Sequence, residues 1–141
     1  MIRRLLALLA LTVLVAGCQN KGQAAGSDLQ RTQLAAYAAS TAYPGTPRND
    51  ELNLGAVLTD NGDIRLINFS NRAVNDINVW VNKEYVFRTP TIPPKSMVTL
   101  PRSSFFNTQG LDLTQEKAAV GLIQVQVADR LVDVLGPASE K

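Results

Sequence analysis

From residue 52 onward the chain is cut into short apolar runs rich in Val, Ile and Leu, separated by Asn, Asp, Gly and Pro at intervals typical of an all-β domain. Residues 54–59 and 64–69 flank Asp60-Asn61-Gly62-Asp63, and Asn-Gly tolerates the positive φ that tight hairpin turns require. Folding about Asn61-Gly62 predicts Val57 opposite Leu66 and Thr59 opposite Ile64. The run 77–82 alternates strictly, with Ile77, Val79 and Val81 on one face and Asn78, Trp80 and Asn82 on the other. A turn at Asn82-Lys83-Glu84 then sets Val81 against Tyr85 and Val79 against Phe87, which keeps the larger apolar set together. Pro90, Pro93 and Pro94 exclude a central strand and mark a crossing loop before the run 97–100. At least one of the Phe105 and Phe106 rings is expected to plug one end of the core, with a helical turn at 114–118. The last hairpin, 121–127 with 131–135, folds about Asp129-Arg130, placing Val125 opposite Val134 and Val127 opposite Val132. Gln124, Gln126 and Asp133 then share a wet face.

Seven such strands predict an all-β fold, a two-layer sandwich, with a small closed barrel as the alternative from the same strand count. The pattern resembles bacterial immunoglobulin-like and fibronectin III-like modules over residues 52–136. It does so through the Trp-bearing middle strand, the Pro-rich turn into Met97 and the long closing hairpin. It departs from antibody-type domains in lacking an inter-sheet cysteine pair, because the chain has one cysteine.

The N-terminus has a different texture. Arg3 and Arg4 precede an apolar run at residues 5–15, closed by Val15-Ala16-Gly17-Cys18. The run is about half the ~20 residues that a membrane-crossing helix needs, so a cleavable export signal is favoured over an uncleaved anchor. The ending resembles the lipobox of bacterial lipoproteins. That resemblance implies cleavage before Cys18, lipidation of its sulphur and acylation of the new amino group, and it explains an exported chain with one unpaired cysteine. More than one acyl chain gives firm attachment. In a Gram-negative host, Gln19 after the cysteine implies the outer membrane, facing the periplasm. The expected organisation is a signal peptide over residues 1–17, a lipidated tether over 18–51, the sandwich over 52–136 and a loose tail over 137–141. Within the tether, residues 27–40 predict a short helix, with Ser27 and Gln30 spaced as a capping box, against the competing reading of a longer stalk. Residues 19–26 predict a flexible reach of about 15 Å.

The net charge of +2 falls to about zero once Arg3 and Arg4 are removed, and the remaining cations are scattered among acids, which argues against nucleic acid as a partner. The chain has no histidine, and its one cysteine is assigned to lipid. The usual catalytic triads, thiol nucleophiles and zinc shells are therefore not expected, nor is any cofactor or enzymatic activity. Asp60 and Asp63 suggest half a calcium loop, but the twelfth position is Asn71 where a glutamate is required, so a plain turn is preferred. Asp112 with Glu116, and Asp129 with Asp133, read as solvated surface charges. The triplet Asn68-Phe69-Ser70 matches a glycosylation acceptor, a match expected to be empty in bacteria. The candidate binding residues are Asn78, Trp80 and Asn82. On an exposed strand face they form an aromatic platform flanked by amides, suited to a glycan such as peptidoglycan; the alternative buries Trp80 inside the sandwich. The leading expectation is an envelope lipoprotein, held to the membrane at Cys18, whose domain binds a protein partner through a sheet edge or loop end.

Overall fold

The computed structural model describes residues 21–46 and 52–135. Helix α1 (Lys21–Ser40) precedes seven strands: β1 (Leu54–Leu58), β2 (Ile64–Asn68), β3 (Ile77–Val81), β4 (Tyr85–Thr89), β5 (Met97–Leu100), β6 (Ile123–Val127) and β7 (Arg130–Leu135). They form two antiparallel sheets, ordered β1-β2-β5 and β4-β3-β6-β7. This is the all-β two-layer sandwich that the strand spacing predicts. The core between the sheets is built from alternate positions, Leu54, Ala56, Ile64, Leu66, Ile77, Val79, Val81, Leu100, Ile123 and Val125 among them, all buried. Such period-two burial is what the pleat requires when one face of each strand meets a second layer.

Turn chemistry sets the register. The β3–β4 hairpin has the predicted pairs, Val81 with Tyr85 and Val79 with Phe87. Asn82 and Lys83 both have positive φ, 52° and 65°, the backbone that matches the twist of paired strands. The β1–β2 hairpin is slipped by one residue from the expected register, with Leu58 opposite Ile64 and Val57 opposite Arg65. The cause is a longer loop. The Thr59 N–H donates to the Asp63 carbonyl at 2.9 Å, the Gly62 N–H donates to the Thr59 carbonyl at 2.8 Å, and Gly62 takes φ 77°. Val57 therefore faces outward. In the β6–β7 hairpin the turn residues are Ala128 and Asp129, not Asp129 and Arg130, so Val125 meets Val132 and Val127 meets Arg130. Ala128 adopts φ 54°, a conformation that alanine does not favour, which is why sequence alone misplaces this turn.

Antiparallel pairing sorts the connections to two ends. The β1–β2 turn, the β3–β4 turn and the long 101–122 connection lie at one end; segments 69–76, 90–96 and 128–129 lie at the other. At the second end Asn68, which is buried, donates its amide to the carbonyls of Arg72, Ile92 and Pro93 and accepts from the Ser70 N–H and hydroxyl. It ties two loops together, and no free acceptor amide remains for a glycan.

Helix α1 starts earlier than expected, at Lys21, so residues 21–26 are helical instead of a coil tether. It is also part of the domain. It lies on the outer face of the four-stranded sheet, where Ala38, Trp80, Val86, Phe106 and Leu131 form a second buried cluster flanked by Leu34, Ala35, Tyr37 and Tyr43. Phe105 and Phe106 part company here, Phe105 entering the inter-sheet core and Phe106 the cluster under the helix. The expected helical turn near 114–118 is a run of turns beginning at Leu113. Residues 1–20, 47–51 and 136–141, on which the expected signal peptide, the expected lipidation at Cys18 and the expected loose tail fall, lie outside the described residues.

Candidate functional site

The three strand residues singled out from the sequence do not make an open platform. Trp80 faces away from the inter-sheet core, as the alternation requires, yet only 2% of it is accessible. Neither reading of it holds: it is outside the sandwich and it is covered. The Tyr43 ring meets it edge-on, with centroids 5.3 Å apart and planes at 85°, and the indole N–H donates to Gln126 Oε1 at 2.9 Å. Asn78 is half-buried and accepts the Tyr37 hydroxyl proton at 2.6 Å. Asn82 turns elsewhere. Its amide donates to the Ala119 carbonyl at 2.6 Å, and its Oδ1 accepts from the N–H groups of Gly121 at 3.0 Å and Leu122 at 3.1 Å, closing the 101–122 connection.

The face expected to be wet is so only in part: Asp133 is exposed and Gln126 half-buried, but Gln124 is covered. Gln124, buried, accepts from the Tyr43 hydroxyl at 2.7 Å and donates to Asp133 at 2.7 Å. Asp112 is likewise no solvated surface charge. It is buried, paired with Arg31 of α1 at 2.7 Å, and accepts from the backbone N–H groups of Thr114 at 2.7 Å and Gln115 at 2.9 Å. Burial alone pushes its pKa up, but the Gln115 and Thr114 N–H groups and the Arg31 guanidinium outweigh that and hold the carboxyl below its ordinary value. Arg31 also stacks 5.3 Å over the Phe106 ring. Arg31, Tyr37 and Tyr43 thus hold the helix segment down, three long polar side chains in an otherwise alanine-rich stretch, which is the one sequence signal that marks this contact.

Apart from Leu29 on α1 and Leu111 in the 101–122 connection, the exposed large apolar side chains among the described residues lie on the other, three-stranded sheet. Val57 (44% accessible), Phe69 (54%) and Met97 (59%) stand out from β1, the end of β2 and β5, around the half-buried Ile67. Register explains the grouping: Ile67 pairs with both Gly55 and Met97, and the Phe69 ring lies over Gly55, where an added Cβ would fall 2.8 Å from Cε2. No Asp or Glu occurs in β1, β2 or β5, while Arg65 projects from the same face as Val57.

Asp63 accepts the Arg102 N–H at 3.0 Å and serves the turn. Among the described residues no group of three or more potential ligands could hold a metal ion, and no helix is long and apolar enough to cross a membrane. The chain matches no family model, and neither curated proteins nor solved structures include a similar one.

Proposed function

We propose that this is a lipid-anchored protein of the bacterial envelope, held at Cys18 to the outer membrane and facing the periplasm. Its immunoglobulin-like domain binds a protein partner through the outer face of the β1-β2-β5 sheet, and the reading assigns it no catalysis. One observation carries the choice of surface. The chain covers the outer face of its four-stranded sheet with its own helix, yet leaves Val57, Phe69 and Met97 uncovered on the three-stranded one. Grouped apolar side chains beside a cation, with no acid in the strands, suit a partner that offers an apolar patch rimmed by carboxylates.

Two measurements test the reading separately. Mass spectrometry of the purified mature protein should find Cys18 at the N-terminus carrying a diacylglyceryl thioether and an amide-linked acyl chain; any other start, or an unmodified thiol, removes the anchor. A photo-cross-linking residue at position 97 should capture one discrete partner in intact cells, and one at the exposed position 83, in the β3–β4 turn of the other sheet at the opposite end, should not. Equal or absent capture from both positions removes the assignment of the surface.

A further inference from the structure

The end of the sandwich where α1 begins its contact with the domain holds an open cleft of about 450 Å3, lined by Asn61, Asp63, Arg102, Ser103, Thr114 and Lys117. Two connections build it. The β1–β2 turn supplies Asn61 and Asp63, and the 101–122 connection supplies the rest, opening with the 3-10 turn Arg102–Ser104. The guanidinium of Arg102 is placed by the fold. It lies close over the turn, where a Cβ at Gly62 would fall 2.7 Å from Nη1, and Nη2 donates to the Ala118 carbonyl at 2.7 Å.

Donors outnumber acceptors in this cleft. Arg102 Nε is buried with no hydrogen-bond partner, and neither Arg102 nor Lys117 has an ion-pair partner among the described residues. Among the described residues the hydroxyls of Ser103 and Thr114 and the amide of Asn61 donate to no protein group either. The one lining carboxylate, Asp63, is turned onto the backbone N–H of Arg102. A buried N–H without a partner is costly, and several uncommitted donors with two cations suit an anion that offers many oxygens. The size lies within the range of small-ligand clefts.

Location narrows the anion. Arg31 meets Asp112 in the 101–122 connection and Tyr37 meets Asn78 near the start of β3, so α1 runs away from the cleft end. Its first residue, Lys21, therefore points out past that end, about 15 Å beyond Arg31 at 1.5 Å per residue. Under the proposed anchoring at Cys18, the cleft faces the bilayer. We infer that the cleft formed by Asn61, Arg102, Ser103, Thr114 and Lys117 binds a phosphate group, carried by a lipid headgroup or free. The presence of the site stands on its own lining; only the lipid source rests on the anchored reading.

The test uses the full mature chain with Cys18→Ser, so that no acyl group drives membrane binding. Titration with inorganic phosphate, followed by backbone amide NMR, should give saturable shifts at residues 61, 103, 114 and 117. Lys117→Gln, an exposed change that leaves the Arg102 contacts intact, should weaken the response at least tenfold, and Arg102→Gln should abolish it. If phosphatidylglycerol vesicles compete for the same amides, the headgroup is the ligand; if phosphate saturates and vesicles do not compete, free phosphate is. A response that does not saturate, that chloride reproduces, or that keeps its full affinity in Lys117→Gln overturns the site. An unmodified Cys18 in the wild-type protein would remove the anchor but leave the phosphate titration unchanged, so the two failures are distinguishable.

Discussion

At the scale of single residues, the polar side chains decide more than their number suggests. Asp112 is a buried carboxylate whose charge is sustained by Arg31 and two backbone N–H groups. Removing the cation leaves that charge under-compensated. Arg31→Ala is expected to cost about 1–2 kcal/mol in urea unfolding, below the usual figure for a fully buried pair because the Arg31 side chain is 41% exposed. The sign of the pH dependence follows. The folded pKa of Asp112 lies below its unfolded value, so its contribution is present above the unfolded pKa of about 3.9 and is lost as pH falls through the folded value. Stability should drop below about pH 4, and in Arg31→Ala the drop should be smaller, because losing the cation raises the folded pKa towards the unfolded value while the unfolded chain still sets where the drop begins. Asn68 makes the same point without charge: Asn68→Ala removes its hydrogen bonds to Arg72, Ile92, Pro93 and Ser70 at once and should cost about 3 kcal/mol by the same measurement. Nothing in the triplet Asn68-Phe69-Ser70 announces that role, because the loops it joins are distant in sequence.

At the scale of elements, turns and the helix differ in how far the sequence reveals them. The β3–β4 turn is legible because Asn82 tolerates positive φ and alternation fixes the pairing on either side. Asn82→Ala should cost about 2–3 kcal/mol, losing three side-chain hydrogen bonds and a favourable left-handed residue. Asn82→Gly should recover about 1 kcal/mol of that, since it restores only the backbone freedom. The β6–β7 turn is illegible for the converse reason: Ala128 is held at φ 54° by the strands around it, not by its own preference. Helix α1 is intermediate. Its alanines predict a helix, but its thin apolar side gives no hint that Ala38 is buried against the sheet. Trp80 reports on that docking. In the wild-type protein its emission should be blue-shifted and protected from acrylamide. Ala38→Arg, which overfills a closed contact at a cost of about 2–3 kcal/mol, should shift the emission to the red and raise quenching while the sandwich stays folded.

At the scale of the whole molecule, α1 converts an expected loose tether into an oriented support. A docked helix that leaves the domain at the end holding the 101–122 connection fixes which loops approach the bilayer under the proposed anchoring. In the lipidated protein reconstituted in vesicles, a fluorophore introduced by Asp60→Cys should therefore transfer energy to labelled lipids more efficiently than one introduced by Ala73→Cys, at the opposite end. Equal transfer from both would mean that the helix does not orient the domain. The same arrangement leaves Val57, Phe69 and Met97 on a side wall, open to a neighbour standing on the same membrane.

Local rules carried the class of fold: strand number, the outward direction of Trp80 relative to Val79 and Val81, and one hairpin register follow from period-two alternation and from residues that accept positive φ. Tertiary packing decided what covers each face. Whether a glutamine or a tryptophan on a strand is wet depends on a helical segment distant in sequence settling over it, and that balance rests on shape and on pairs such as Arg31 with Asp112 and Tyr37 with Asn78. Periodicity reports only which side chains share a face, because it is a property of one strand; burial is a property of two surfaces that meet.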